Sequence, residues 1–162
     1  MPPSPEPVIR IRIRRATPDE APFLHALTGR STLHWGYEPE FLDWEPQALA
    51  VSAELVAANP FYALEEGDRI TGYYGLTGEP PTMSLDKLFV EPGLIGTGRG
   101  KRLWHHAVAT ARDLGVTTLT WWSDPNAAPF YRAMGGIWER EEPTDRAGWN
   151  LHMFRYPIPD EG

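Results

Sequence analysis

Leu88-Phe89-Val90-Glu91-Pro92-Gly93-Leu94-Ile95-Gly96-Thr97-Gly98-Arg99-Gly100-Lys101-Arg102-Leu103 decides how this chain is read. An apolar strand runs into three glycines separated by single residues, Gly96, Gly98 and Gly100, and a helical pattern starts at once. Alternate glycines take side chains out of a turn, so successive backbone N–H groups can face one concavity. A helix opening there adds N–H groups without intrahelical acceptors and the positive end of its dipole. The expected ligand of such a turn is a phosphate or pyrophosphate.

Downstream, Leu103, Trp104, Ala107, Val108, Ala111 and Leu114 recur at helical spacing, and Gly115 ends the run. A strand at 117–122 leads into Asp124-Pro125-Asn126-Ala127-Ala128-Pro129-Phe130-Tyr131-Arg132-Ala133-Met134-Gly135-Gly136. Asp124 and Pro125 read as cap and first helical position, Phe130, Tyr131 and Met134 share one face, and Gly135 stops the helix. Strands at 137–141 and 151–156 follow.

Upstream, residues 8–14 alternate Ile9, Ile11 and Ile13 with Arg10, Arg12 and Arg14, a half-buried strand with a charged outer face. Thr17-Pro18-Asp19-Glu20 is a capping box. It opens a helix with Phe23, Leu24 and Leu27 inward, which Gly29 is expected to stop. Pro46 opens a second helix through Leu49, Ala53 and Val56, ended by Asn59-Pro60. Strands at 61–64 and 70–76 flank the turn Glu66-Gly67-Asp68-Arg69, and a strand at 83–90 reaches the glycines. The order β-α-α-β-β-β-α-β-α-β-β predicts one α/β domain over residues 8–158, with a loose Pro-rich segment at 1–7. Its sheet should be mixed, mostly antiparallel, with helices on both faces.

Three nucleotide motifs compete for the glycines. A P-loop requires Ser or Thr after Gly-Lys, whereas Arg102 follows Gly100-Lys101. A dinucleotide fold requires Gly-x-Gly-x-x-Gly near the start of a βαβ unit, whereas the spacing is Gly-x-Gly-x-Gly late in the chain. The segment closely resembles the pyrophosphate loop of the GNAT superfamily of N-acetyltransferases. Val90, Glu91 and Pro92 match its Val-x-Pro lead-in, and Gly96, Gly98 and Gly100 match its glycines. Ile95 departs from the family's Arg or Gln, and Gly136 from the aromatic that ends its Asn-x-x-Ala/Pro-x-x-Phe-Tyr-x-x-x-Gly-Phe element. A glycine-rich turn without a ligand is the plain alternative.

The resemblance implies an N-acetyltransferase that uses acetyl-CoA directly, without a metal. It implies that the backbone of Leu88, Phe89 and Val90 meets the pantetheine arm, which a central strand permits only where a bulge or splay frees its edge. It assigns the pyrophosphate to the loop of Ile95, Gly96, Thr97, Gly98, Arg99, Gly100 and Lys101, gives Asn126 a share of the cofactor, and makes Tyr131 the general acid. Asp86 stands on the strand where relatives carry a catalytic carboxylate; a salt bridge with an Arg, or simple exposure at a strand start, is its other reading. Glu91 is the second candidate base, although beside Pro92 it reads as a solvated surface residue, and a water chain without a dedicated base is the third alternative. His34, Trp35 and Tyr37 lie where relatives place the acceptor wall, or else pack as core. His105 and His106 do not share a face as a metal pair would, and read as structural or exposed. A GNAT-like acyl-CoA-binding module without turnover is the alternative function.

Composition sets the limits. The chain has 162 residues, 41% of them hydrophobic, enough for one folded domain. A net charge of −7 speaks against nucleic acid and suits a cationic amine. No cysteine means no disulfide and no thiolate nucleophile. Without a signal peptide or membrane-length apolar run, a soluble cytoplasmic protein is expected. Its acceptor would be a small-molecule amine or a peptide, and a homodimer remains open.

Overall fold

The computed structural model describes residues 10–36, 49–144 and 150–160. Along the chain run β1 (Ile11–Arg15), α1 (Ala21–Leu33), α2 (Ala53–Ala58), β2 (Phe61–Glu66), β3 (Arg69–Glu79), β4 (Thr82–Val90), α3 (Arg99–Asp113), β5 (Thr118–Ser123), α4 (Ala128–Ala133), β6 (Ile137–Pro143) and β7 (Asn150–Pro157). Among the described residues the expected order holds. The strands form one seven-stranded sheet in the order β1-β2-β3-β4-β5-β7-β6, with β4 and β5 parallel and the other neighbours antiparallel.

Alternation along the strands builds an apolar layer on each face. Tyr73 and Tyr74 are consecutive on β3, fully buried, and belong to opposite layers. One layer joins Leu24 and Leu27 of α1 and Val56 of α2 to Phe61, Ala63 and Tyr73. The other joins Leu103, Trp104, Ala107 and Ala111 of α3 to Leu76, Leu119, Trp121 and Phe154. Truncating a buried ring such as Trp104 typically costs ~3–5 kcal/mol. Gly75 has a packing reason, since a Cβ there would lie 2.4 Å from the Phe61 ring.

Several local expectations are corrected. α1 continues past Gly29 to Leu33, because Ser31 and Thr32 are buried and Arg30 is held by Glu91. Phe23 faces outward, 42% exposed, under the Arg30 guanidinium. The single helix expected through Leu49, Ala53 and Val56 is interrupted: residues 50–52 are not helical, and α2 begins after Ser52, whose hydroxyl accepts from Leu55 N–H, while the expected start at Pro46 lies outside the described residues. β1 starts at Ile11, which is exposed, and its arginines are paired: Arg14 with Glu20 and Glu65, Arg12 with Glu65. Leu114 is also exposed. Residues 1–9, including Ile9, lie outside the described residues. No helix among the described residues is long and apolar enough to cross a membrane.

Candidate active site

β4 and β5 pair only through Thr82, Met83 and Ser84 against Thr118, Leu119 and Thr120. Beyond Ser84 the strands part, so β4 from Leu85 to Val90 has no strand on that side. A bulge accompanies the parting: Gly75 of β3 faces Lys87 and Leu76 faces Leu85, leaving Asp86 as the extra residue. Both devices that free a central strand edge are therefore present. A cavity of about 650 Å³ occupies the opening. Its walls come from both helical layers: Ser31, Thr32 and Trp35 at the end of α1, and Phe130, Tyr131 and Met134 on α4. Leu88, Phe89 and Val90 line it between them.

The glycine loop closes one end. Gly96 and Gly98 have φ of +84° and +90°, the left-handed region that favours glycine, and a Cβ on either would enter open space. Among the described residues, the N–H groups of Gly96, Gly98, Arg99, Gly100 and Lys101 have no protein acceptor. That is the anion cradle expected of a turn entering a fifteen-residue helix. Ile95, Gly96, Gly98, Gly100, Lys101 and Asn126 line the cavity. Thr97 and Arg99 do not: the Thr97 hydroxyl turns back to Leu94 O, and the Arg99 guanidinium pairs with Glu66 at 2.6 Å, fastening the loop to the β2–β3 hairpin. That pair holds the Glu66 carboxyl below its ordinary range, chiefly through the Arg99 hydrogen bond.

Tyr131 stands on the opposite wall within an aromatic cluster of Trp104, Trp121 and Phe154. Burial pushes its phenol up from the ordinary value, so the hydroxyl stays protonated. That hydroxyl makes no hydrogen bond among the described residues. The helix carrying it starts at Ala128, not Pro125: Asp124 Oδ1 accepts from Asn126 N–H at 2.7 Å and forms its own turn. Gly135 N–H reaches Arg132 O and Gly136 N–H reaches Tyr131 O, the two bonds of a Schellman end. The aromatic absent at Gly136 has its reason here, since a Cβ there would lie 3.1 Å from the Trp121 ring. Trp121 and Phe154, stacked at 5.7 Å, fill that space instead.

Asp86 lines the cavity, and its Oδ2 accepts from Lys87 Nζ at 2.7 Å. Glu91 is buried rather than solvated: Arg30, 61 residues away, holds both its carboxylate oxygens, and it does not line the cavity. Trp35 lines the cavity and is 40% exposed, which removes it from the core. His34 is exposed with its ring edge-on to Trp35, and is not a lining residue. Tyr37 lies outside the described residues. Sequence reasoning missed Ser31, Thr32, Trp122 and Leu151, which also line the cavity. For Ser31 and Thr32 the available signal was their i, i+4 spacing from Leu27 and Thr28, hidden by ending α1 at Gly29; Trp122 and Leu151, on β5 and β7, left none. His105 is exposed, while His106 Nδ1 lies 2.7 Å from the Tyr74 hydroxyl. Among the described residues no three His, Asp or Glu side chains gather as a metal site.

The model of the acetyltransferase (GNAT) family matches residues 24–136. Peptidyl-lysine N-acetyltransferase YjaB of Salmonella typhimurium is 33% identical over 131 residues, 77% of this chain and 82% of the relative. PaiA N-acetyltransferase of Thermoplasma acidophilum, solved with coenzyme A, superposes with a TM-score of 0.75 at 17% identity, over 91% of this chain and 99% of its own. YncA of Salmonella typhimurium, solved with its cofactor acetyl-CoA, superposes with a TM-score of 0.68 at 18% identity, over 94% of this chain and 96% of its own.

Proposed function

This chain belongs to the acetyltransferase (GNAT) family, and on that premise we propose that it transfers an acetyl group from acetyl-CoA directly to an amine within the opening between β4 and β5. One observation supports this most: the cavity runs from unpartnered loop N–H groups, past a free strand edge, to a wall built by the opposite helical layer. A donor and an acceptor can enter such a passage from different faces and meet inside it.

The residues present suit the donor. Gly96, Gly98, Gly100 and Lys101 would hold the pyrophosphate, mainly through backbone N–H groups. Ile95 would add apolar contact where relatives carry a polar side chain. The free edge at Leu88, Phe89 and Val90 would pair with the amide-bearing arm and direct an N–H toward the acetyl oxygen. Asn126 would close over the cofactor. Acetyl-CoA, when bound, supplies the thioester that carries the acetyl group.

Tyr131 would donate its phenolic proton to the leaving sulfur. The transfer runs from a group near pKa ~10 or above to one near ~8.5, so its efficiency comes from position rather than acidity. Asp86 would meet the incoming ammonium, take its proton and leave a neutral amine to attack. Trp35 would form the acceptor wall, with His34 behind it. A lysine side chain in a peptide is one acceptor within this reading, since the Salmonella relative bears that activity in its name. The test is incubation with acetyl-CoA and a panel of spermidine, tyramine and a blocked lysine amide, following free thiol and acetylated product. Equal amounts of both support the proposal; acetyl-CoA binding without thiol release with any amine would favour the non-catalytic module.

A further inference from the structure

Lys87 is a buried charge that the chemistry above leaves unused. Its side chain is only 3% exposed, and it does not line the cavity. A lysine so placed requires a partner, because an unpaired ammonium in the interior is strongly unfavourable. Among the described residues Asp86 Oδ2, at 2.7 Å, is the acceptor it reaches. Successive side chains on a regular strand point to opposite faces, so neighbours in sequence do not pair there. The bulge at Asp86 lifts that restriction. The Asp86 side chain, 34% exposed, is the end of the pair that stands on the cavity wall. One ion pair thus joins the core to the site.

We propose that Lys87 is a positioning residue for acetyl transfer. Its ammonium anchors Oδ2 of Asp86 and fixes the carboxylate, leaving Oδ1 to receive the acceptor amine. Lys87 touches neither substrate; it acts through Asp86, so the inference rests on the role proposed for that carboxylate.

Four variants separate the two claims: Lys87→Met, Lys87→Arg, Asp86→Asn and the double variant Asp86→Asn with Lys87→Met. Each is assayed with acetyl-CoA and the best acceptor among spermidine, tyramine and a blocked lysine amide, and melted in parallel. Lys87→Met should lower kcat/KM for the amine by about tenfold or more, while KM for acetyl-CoA and the melting temperature stay close to wild type. Lys87→Arg, which keeps the charge, should recover most of that loss. In the Asp86→Asn background, Lys87→Met should cause no further loss, the coupling expected of groups that act as a unit. It should instead raise the melting temperature, by removing the ammonium that Asp86→Asn orphans.

Wild-type kinetics in Lys87→Met beside a defective Asp86→Asn would overturn the role of Lys87 and leave that of Asp86 standing. Wild-type kinetics in Asp86→Asn would overturn both. Effects that multiply in the double variant would show Lys87 acting independently of Asp86 and overturn the inference. So would a joint fall in every kinetic constant and in the melting temperature of Lys87→Met.

Discussion

Ser84 pairs with Thr120, and beyond them β4 and β5 separate. That parting opens a passage through the middle of a sheet otherwise continuous from β1 to β6. A parallel pair between two antiparallel halves is where it occurs. The bulge at Asp86 lies on the freed part of the same strand, two residues beyond Ser84. The glycine loop lies directly after the same strand, so the free edge and the anion cradle belong to one continuous stretch of chain.

Gly98→Val should abolish acetyl-CoA binding while leaving the protein folded. Gly98 has φ +90°, and a side chain there would enter the open space that the loop frames. A β-branched residue resists that backbone and costs ~1–2 kcal/mol. The variant should therefore melt a few degrees lower and lose the stabilisation that acetyl-CoA gives wild type. An undiminished acetyl-CoA shift would make the loop a turn and nothing more.

Tyr131→Phe should lower kcat by ~10²–10⁴-fold, as loss of a positioned proton donor does. The hydroxyl makes no hydrogen bond among the described residues, so melting temperature and KM for acetyl-CoA should hardly move. Unchanged kcat under chemistry-limited conditions would remove Tyr131 from the mechanism.

Trp35→Ala divides the two readings of the aromatic connection. A core tryptophan would cost ~3–5 kcal/mol on truncation. At 40% exposure on the cavity wall, it should instead cost less than about 1 kcal/mol and raise the amine KM severalfold. Chemical denaturation and both KM values, measured on this one variant, decide.

Glu20→Gln should make stability less sensitive to acid. Arg14 donates two hydrogen bonds to Glu20, at 2.9 and 2.7 Å, and that partner holds its carboxyl down to about 2 from 4.5. A depressed folded pKa contributes stability above the unfolded value and loses it as pH falls through the folded one. Wild type should thus weaken between about pH 5 and 2, while the variant shows a shallower decline. At pH 7 the substitution should cost about 1–2 kcal/mol, after allowance for solvent screening. Parallel pH–stability curves from denaturant melts check it.

What the sequence made legible were features enforced locally. The spacing of Gly96, Gly98 and Gly100 announced a loop needing positive φ, and the period from Leu103 to Ala111 announced a buried helix face. Gly29 resembled a helix end by the same rule, but its helix continues because tertiary contacts outweigh the local cost of glycine. Glu91 looked solvated beside a proline; Arg30, 61 residues earlier, captures it. Asp124 looked like a cap and instead closes a turn with Asn126. The opening between β4 and β5 depends on which strands become neighbours, and no local pattern encodes that. Lys87 left a misleading trace: the alternation of Met83 and Leu85 would set it on their face, but the bulge at Asp86 breaks that alternation and pairs it with Gly75, which faces Phe61 in the other layer.

The most direct measurement of the central claim is amide hydrogen exchange with and without acetyl-CoA. The account predicts slower exchange in two places, Leu88 to Val90 on the free edge of β4 and Gly96 to Lys101 in the loop. β1 and β6, at the far edges of the sheet, should exchange unchanged. Protection elsewhere, with those two segments unaffected by saturating acetyl-CoA, would contradict it.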